Sequence, residues 1–378
     1  MKNLSEPLRF LDRDDMQKIH NAAVQILDTV GMKIDHDDAL DYLRHRGCRV
    51  DHDTRIVKFP PEVTERAVAR MRTAYSDPNR VPQKMTVRYS HVRFRSEPNR
   101  VHRDFSVSTG GFCCFIYDLE GRRRAANIED VRAALRLADA LDNIDYTGLP
   151  CSAQEMPHAE RPVRMAAELV KHTRKIGGIE TFTARDVEYI TRIAEVVAGG
   201  KEALRRNPVL IGYGEVRSPL CIDRNMAEIL IAYIKKGLPQ TLDSMPNGGA
   251  TAPVTAAGIL AQGIAETLGG LILGYAVDED AVIGIDLVPS YADVRSGIFQ
   301  YAGAQRMPLI AARVQIMNEF YGVPSGIHGG KTDSCFPGTQ AGVEKALSML
   351  FPILAGAVGI GTVGHLENAV VLSAATRH

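Results

Sequence analysis

Apolar residues recur at three- and four-residue spacing from Asp14 to Val30, where Ile19, Ala22, Ala23, Ile26, Leu27 and Val30 share one face. The spacing predicts a helix, and Gly31 supplies its stop. A second helix is predicted over Asp37 to Arg46, again ending at a glycine, Gly47. The stretch CRVDHDTRIVKF then alternates as two short strands around a polar turn, and Pro60 and Pro61 open a third helix. From Lys84 to Phe105 the period drops to two (Met85, Val87, Tyr89; Val92, Phe94), which predicts antiparallel hairpins. Residues 1–107 are therefore expected to form an N-terminal α+β region.

Beyond residue 107 the texture changes. Short apolar runs alternate with amphipathic helical patterns, and eight runs can be counted: 112–118, 145–151, 175–181, 209–216, 239–245, 281–287, 323–328 and 357–365. Helical patterns separate them, among them Glu129 to Leu141, Ala184 to Ala198, Asp223 to Lys236 and Thr339 to Leu354. Eight strands alternating with helices, in a span near the usual length of about 250 residues, predict a (β/α)8 TIM-type barrel over 108–378. An open doubly wound sheet is the alternative. After the eighth run only LENAVVLSAATRH follows, too short for a closing helix, so that C-terminal helix is expected to be missing and the barrel truncated.

The stretch from Asn247 to Tyr275, NGGATAPVTAAGILAQGIAETLGGLILGY, stands apart. Thr251 is the expected N-cap, Pro253 falls in the first turn, and a helix is predicted from about Ala252. Gly269 and Gly270 lie inside it although each costs about 1 kcal/mol relative to alanine, which implies a close neighbour. Amide groups at the bend, near Gly249 and Thr251, offer an anion site; a tight turn that binds nothing is the competing reading. The helix is long enough to resemble a membrane span, but Gln262, Glu266 and the glycines suit a soluble core element.

Composition narrows the function classes. With 378 residues and 45% hydrophobic content the chain can bury a large core, and 45 basic residues balance 45 acidic ones. No charge excess marks a nucleic-acid or anionic-membrane surface. Six cysteines without a C-x-x-C pair, and an N-terminus without an apolar signal core, suit a reduced, cytoplasmic protein. There is no G-x-S-x-G, P-loop or Rossmann fingerprint, and no zinc spacing.

In an eight-stranded barrel chemistry gathers where strands end, which nominates Thr109, Gly110, Asp118, Cys151, Glu180, Tyr213, Glu215, Asn247, Asp286, His328 and His365. His328 is the strongest of them, because it lies in GIHGGKTDSC between glycines with Lys331 and Asp333 beside it. Tyr213, Tyr301 and Tyr321 could form a cage for a quaternary ammonium, at about 0.5 to 2 kcal/mol per ring. Simple packing is the bland reading of each. Cys335 is a candidate nucleophile, although a small core thiol fits it better.

Four blocks carry a resemblance: IHNAAVQILDTVGMKI, STGGFCCFIYDLEGRRRAANIEDVRAALRLADAL, GGATAPVTAAGILAQGIAETLGGLIL and GIHGGKTDSCFPGTQAGVEKAL. In content and order they resemble the trimethylamine methyltransferase family, in its pyrrolysine-free, glycine betaine methyltransferase-like branch. The resemblance implies a barrel enzyme that moves a methyl group from a methylated amine to the Co(I) of a corrinoid, supplied by a partner protein and not bound permanently. The region matching the family's pyrrolysine reads TDSCFPGTQ, with ordinary residues, which implies a quaternary amine such as a betaine rather than trimethylamine.

His328 is then the catalytic candidate. The substrate-binding candidates are Tyr213, Asn247, Gly249, Thr251, Tyr301, Lys331, Asp333, Cys335 and Phe336, and no metal ligand is assigned. The substrate carboxylate is expected at His328, Lys331 or the amides near Gly249 to Thr251. A homo-oligomer is left open, as are two other classes: a non-catalytic betaine-binding or sensory barrel, and a metal-dependent barrel hydrolase.

Overall fold

The computed structural model describes residues 7–77, 105–118 and 120–373. The hairpins expected over 84–105 fall outside them, save for the last residue. Helix Arg13–Gln25 is capped by Asp12, whose side chain accepts from the Asp15 amide at 2.8 Å, and it widens into a π-type turn, Ile26–Val30, before Gly31 ends it. Helices Asp37–His45 and Pro61–Ser76 and the strand pair Arg49–Asp51 and Ile56–Lys58 follow the sequence pattern. A third strand, Met32–Ile34, pairs with Ile56–Lys58 on one side and with Cys221–Ile222, from far along the chain, on the other. The apolar core is shared in the same way. Met16, Leu27, Met32, Leu40 and Met71 belong to one cluster with Leu242, Leu268 and Ile285.

The remainder is mixed α/β, with two parallel arcs. One joins Gly212–Val216, Gln240–Ser244 and Ile283–Leu287. The other runs Gly326–Ile327, Gly359–Ile360, Ser106–Thr109 and Tyr146–Thr147, extended by a bridge from Thr147 to Ile176. The innermost first strand is thus Ser106–Thr109 rather than the predicted 112–118. Phe115–Tyr117 belongs instead to a side sheet with Arg123–Ala125, Val371–Ser373 and His365–Leu366. That run is more apolar than the SVST strand because it packs in a satellite cluster with Ala341, Leu366 and Val371, whereas SVST faces a cavity. Among the described residues no helix follows the last inner strand; the chain returns as the antiparallel pair of the side sheet.

The long helix spans Ala256–Val277 and is capped by Thr255, four residues later than predicted. The reason is local. The amides of Ala250, Thr251 and Ala252 all donate to the Asn247 carbonyl, at 3.0, 2.9 and 3.0 Å, so the chain turns back on itself before the helix can start. The helix is long and apolar enough to cross a membrane, yet 83% of its most apolar window is buried inside the protein. Its glycines answer to close neighbours: a β-carbon at Gly269 would lie 2.1 Å from the Met32 sulfur, and one at Gly270 would lie 2.9 Å from Leu242. Gly270→Val is expected to lower stability by about 1 to 3 kcal/mol through overpacking against the inner strands, as read from denaturant unfolding. An unchanged midpoint would contradict this packing.

Candidate functional site

Three inner strands place acidic residues in one row. The parallel register sets Glu215 beside Asp243 and Asp243 beside Asp286, and two residues earlier it sets Tyr213 beside Thr241 and Gly284. Side chains two apart on a strand share a face, so both rows look the same way. They look into a cavity of about 650 Å³. Residues from all eight inner runs line it, including Thr109, Gly148, Glu180, Glu215, Asp243, Asp286, His328 and Gly361. Its aromatic wall comprises Tyr75, Phe112, Tyr146, Phe182, Tyr213 and Tyr301. Phe112 reaches it from a tight turn in which Gly110, Gly111 and Phe112 all have positive φ (156°, 106° and 57°), a path that glycines permit.

The cavity carries charges of both signs. Glu180 makes no hydrogen bond or ion pair among the described residues; burial, reinforced by Glu215, pushes its carboxyl up to about 7. Glu215 is raised by burial and then by Asp243. Asp286 is ion-paired with Arg313, which also donates to the Gly326 carbonyl at 2.6 Å; burial pushes the Asp286 carboxyl up and Arg313 opposes it. Burial and then Arg306 bring Lys331 down to about 7, opposed by Glu215 and Asp243, and its Nζ lies 4.0 Å from the centre of the Tyr301 ring. His328 Nε2 is 3.6 Å from Asp243 Oδ2, beyond hydrogen-bond length, and burial holds the imidazole below its ordinary value.

Of the residues nominated by sequence, Thr109, Gly110, Glu180, Tyr213, Glu215, Asp286, Tyr301, His328 and Lys331 come together in this cavity. Asn247 and Thr251 line a separate cavity of about 400 Å³, which shares Glu215 and Met245 with the first. The others do not reach either. Gly249 is exposed, and its amide donates to the Ala252 carbonyl at 3.0 Å; with the neighbouring amides turned onto Asn247, the bend holds no open anion site. The Asp333 carboxylate accepts from the Tyr301 and Ala302 amides, at 2.9 and 3.1 Å, so it fixes the Tyr301 segment instead of facing the cavity. Cys335 is exposed rather than a core thiol, and Phe336 is 70% exposed. Tyr321 is fully buried and bonded to His20 at 2.8 Å, so it packs instead of lining a cage. His365, a strand-end nominee, is buried and does not line the cavity.

Asp243, Arg313, Phe112, Tyr146 and Phe182 escaped the sequence reading. A signal for Asp243 was present: GYGEV, QTLDS and IGIDL carry an acidic residue at the same position of three runs. The pairing of Arg313 depends on a helix, Arg306–Gln315, that lies far from Asp286 in sequence. Among the described residues no three His, Cys, Asp or Glu side chains converge as a metal-ligand set.

The chain is mixed α/β, and its inner strands aim acidic and aromatic side chains into one deep cavity, a lining that suits a positively charged group. The family model for trimethylamine methyltransferase (MTTB) matches residues 1–376, and the chain belongs to that family. It is 29% identical over 261 residues to a glycine betaine methyltransferase of Desulfitobacterium hafniense (strain Y51), covering 68% of this chain and 54% of that protein. It is 30% identical over 251 residues to trimethylamine methyltransferase MttB of Methanosarcina barkeri, covering 65% and 50%. The chain thus spans about half the length of the curated relatives it matches. Among solved structures, the monomethylamine methyltransferase MtmB of Methanosarcina barkeri superposes with a TM-score of 0.56 at 13% identity, over 98% of this chain and 72% of that one. That likeness is one of fold.

Proposed function

We propose that this protein binds a quaternary methylammonium of the betaine type and presents a methyl group to the Co(I) of a corrinoid carried by a separate protein. The observation that carries this reading is the row Glu215, Asp243 and Asp286, joined by Glu180 and facing tyrosines across one cavity. A positive charge that keeps no N–H suits acidic and aromatic walls, which attract it without needing a donor. The substrate carboxylate goes to Lys331, and His328, beside Asp243, orients the molecule within the cavity. The corrinoid supplies the nucleophile, and this chain's residues supply orientation, exclusion of water and a fixed field. The stretch Thr332 to Gln340 reads TDSCFPGTQ, ordinary residues in the region matching the family's pyrrolysine, which supports a substrate other than trimethylamine.

The same reading includes a closed eight-stranded barrel that opens with Ser106–Thr109, two residues ahead of the boundary expected at 108, supported by one cavity lined from all eight runs, with the α+β residues 7–77 as a buttress. It also includes a cytoplasmic setting, in keeping with six cysteines that form no disulfide.

The pH dependence of binding follows from Glu180 and Lys331. Glu180, raised to about 7, is a carboxylate above that pH and neutral below it, so affinity for a simple quaternary cation rises with pH through 7. Lys331, lowered to about 7, is charged below that pH and neutral above it, so affinity for a carboxylate falls as pH rises. Calorimetry should show tetramethylammonium binding rising monotonically with pH, and glycine betaine binding passing through a maximum near neutrality. Parallel profiles would remove Lys331 as the carboxylate partner.

The activity test is spectroscopic: purified protein, reduced corrinoid protein, and glycine betaine, carnitine, proline betaine or trimethylamine in turn. Methyl–cobalt formation with a betaine is expected. Binding without cobalt methylation would favour a non-catalytic betaine receptor.

A further inference from the structure

The second cavity, of about 400 Å³, is a built feature of the fold. Much of its wall comes from two segments, 217–223 and 247–251, which follow neighbouring inner strands and supply Arg217, Ser218, Asp223, Asn247 and Thr251. One buried polar network in the long helix ties both loops down. Glu266, fully buried, accepts from the Ser218 hydroxyl at 2.6 Å and from the Leu220 amide at 2.9 Å. Gln262 donates to Glu266 at 2.9 Å and to the Thr251 carbonyl at 2.7 Å. A carboxylate and an amide inside so apolar a helix need these partners, and the loops that provide them are fixed in return.

The chemistry of the lining is polar and, apart from the shared Glu215, balanced. Arg217 and Asp223 pair with each other at 2.8 Å. The Ser218 hydroxyl hydrogen is engaged by Glu266. Thr251 Oγ1 accepts from the Asn247 amide at 3.1 Å and keeps its own hydrogen to donate. Asn247 Oδ1 is buried and has no hydrogen-bond partner. Phe299 and Met245 complete the wall. Such a lining neither calls for an anion nor repels a dipole; it offers an acceptor and a donor to a neutral group. Glu215 and Met245 line both cavities, so a molecule whose ammonium sits by Glu215 can extend a substituent into the second one.

We propose that this side cavity is a second subsite, which takes a neutral hydrogen-bonding substituent, a hydroxyl or an amide, borne on the one non-methyl arm of the substrate's ammonium nitrogen, beside or in place of the carboxylate. The assignment rests on the quaternary-ammonium reading of the main cavity. It makes Asn247 and Thr251 specificity-determining residues, with Glu266 positioning the loops that carry the subsite.

The test compares choline with n-propyltrimethylammonium, which have the same trimethylammonium head and similar length and differ in one hydroxyl. By calorimetry the wild type should bind choline about five- to tenfold more tightly, the range of one net hydrogen bond. Asn247→Leu should erase that preference; Thr251→Val carries the same test should the first variant fail to fold. Equal affinity for the two ligands in the wild type would overturn the subsite while leaving the ammonium site standing. A preference that persists in a folded variant would also overturn it. Failure of the wild type to bind either ligand would overturn the ammonium reading and the subsite together.

Discussion

Asp286→Ala is expected to destabilise the protein by about 3 to 5 kcal/mol, the range for removing one partner of a buried ion pair. The pair is enclosed, with 2% of the Arg313 side chain and 14% of the Asp286 side chain exposed. Removal of the carboxylate leaves a guanidinium whose remaining hydrogen bond among the described residues is to the Gly326 carbonyl at 2.6 Å. Arg313 stands on the helix before Gly326–Ile327, so the loss falls where the two parallel arcs meet. Denaturant unfolding measures it, and the double variant Asp286→Ala with Arg313→Met should recover part of the loss because no charge is stranded. A single variant within 1 kcal/mol of the wild type would show that the pair does not hold this junction.

Asp243→Asn should weaken quaternary ammonium binding by about 2 kcal/mol or more, roughly thirtyfold, with little change in unfolding midpoint. The amide keeps the shape of the carboxylate but removes one charge from the centre of the acidic row, between Glu215 and Asp286. Asp286 is already committed to Arg313, so Asp243, Glu215 and Glu180 carry the field that a cation would feel. Glu215→Gln should act in the same direction. Titration of tetramethylammonium by calorimetry is the measurement; unchanged affinity in both variants would place the cation elsewhere.

Much of the helical frame was legible because its signals are local. Gly31 and Gly47 stop helices, Pro61 starts one, and the runs Ala184–Ala198 and Thr339–Leu354 show their periodicity directly. Thr255 displaced Thr251 as a cap because backbone bonds to Asn247, which no propensity reveals, occupy the preceding turn. The inner strands were harder to read where they line the cavity: Ser106–Thr109 is small and polar and yielded, in the sequence, to the more apolar Phe115–Tyr117 of the side sheet.

The site divides in the same manner. His328 and Lys331 stood out in a glycine-rich loop, and Tyr213 at a strand end. Asp333, beside them in sequence, turned out to hold the Tyr301 backbone, a contact across 32 positions. The acidic row appears only when three strands are set in register, since each carboxylate alone has an ordinary reading as a turn or cap.

The central claim is that the cavity selects positive charge on a trimethylated centre. Its most direct test is the affinity of glycine betaine against 3,3-dimethylbutanoate, in which carbon replaces the ammonium nitrogen at nearly constant shape. Binding of the betaine at least tenfold more tightly at pH 7 is predicted, corresponding to about 1.4 kcal/mol from the acidic and aromatic walls. Equal binding of the two would contradict a cation site and leave only a cavity fitted to shape.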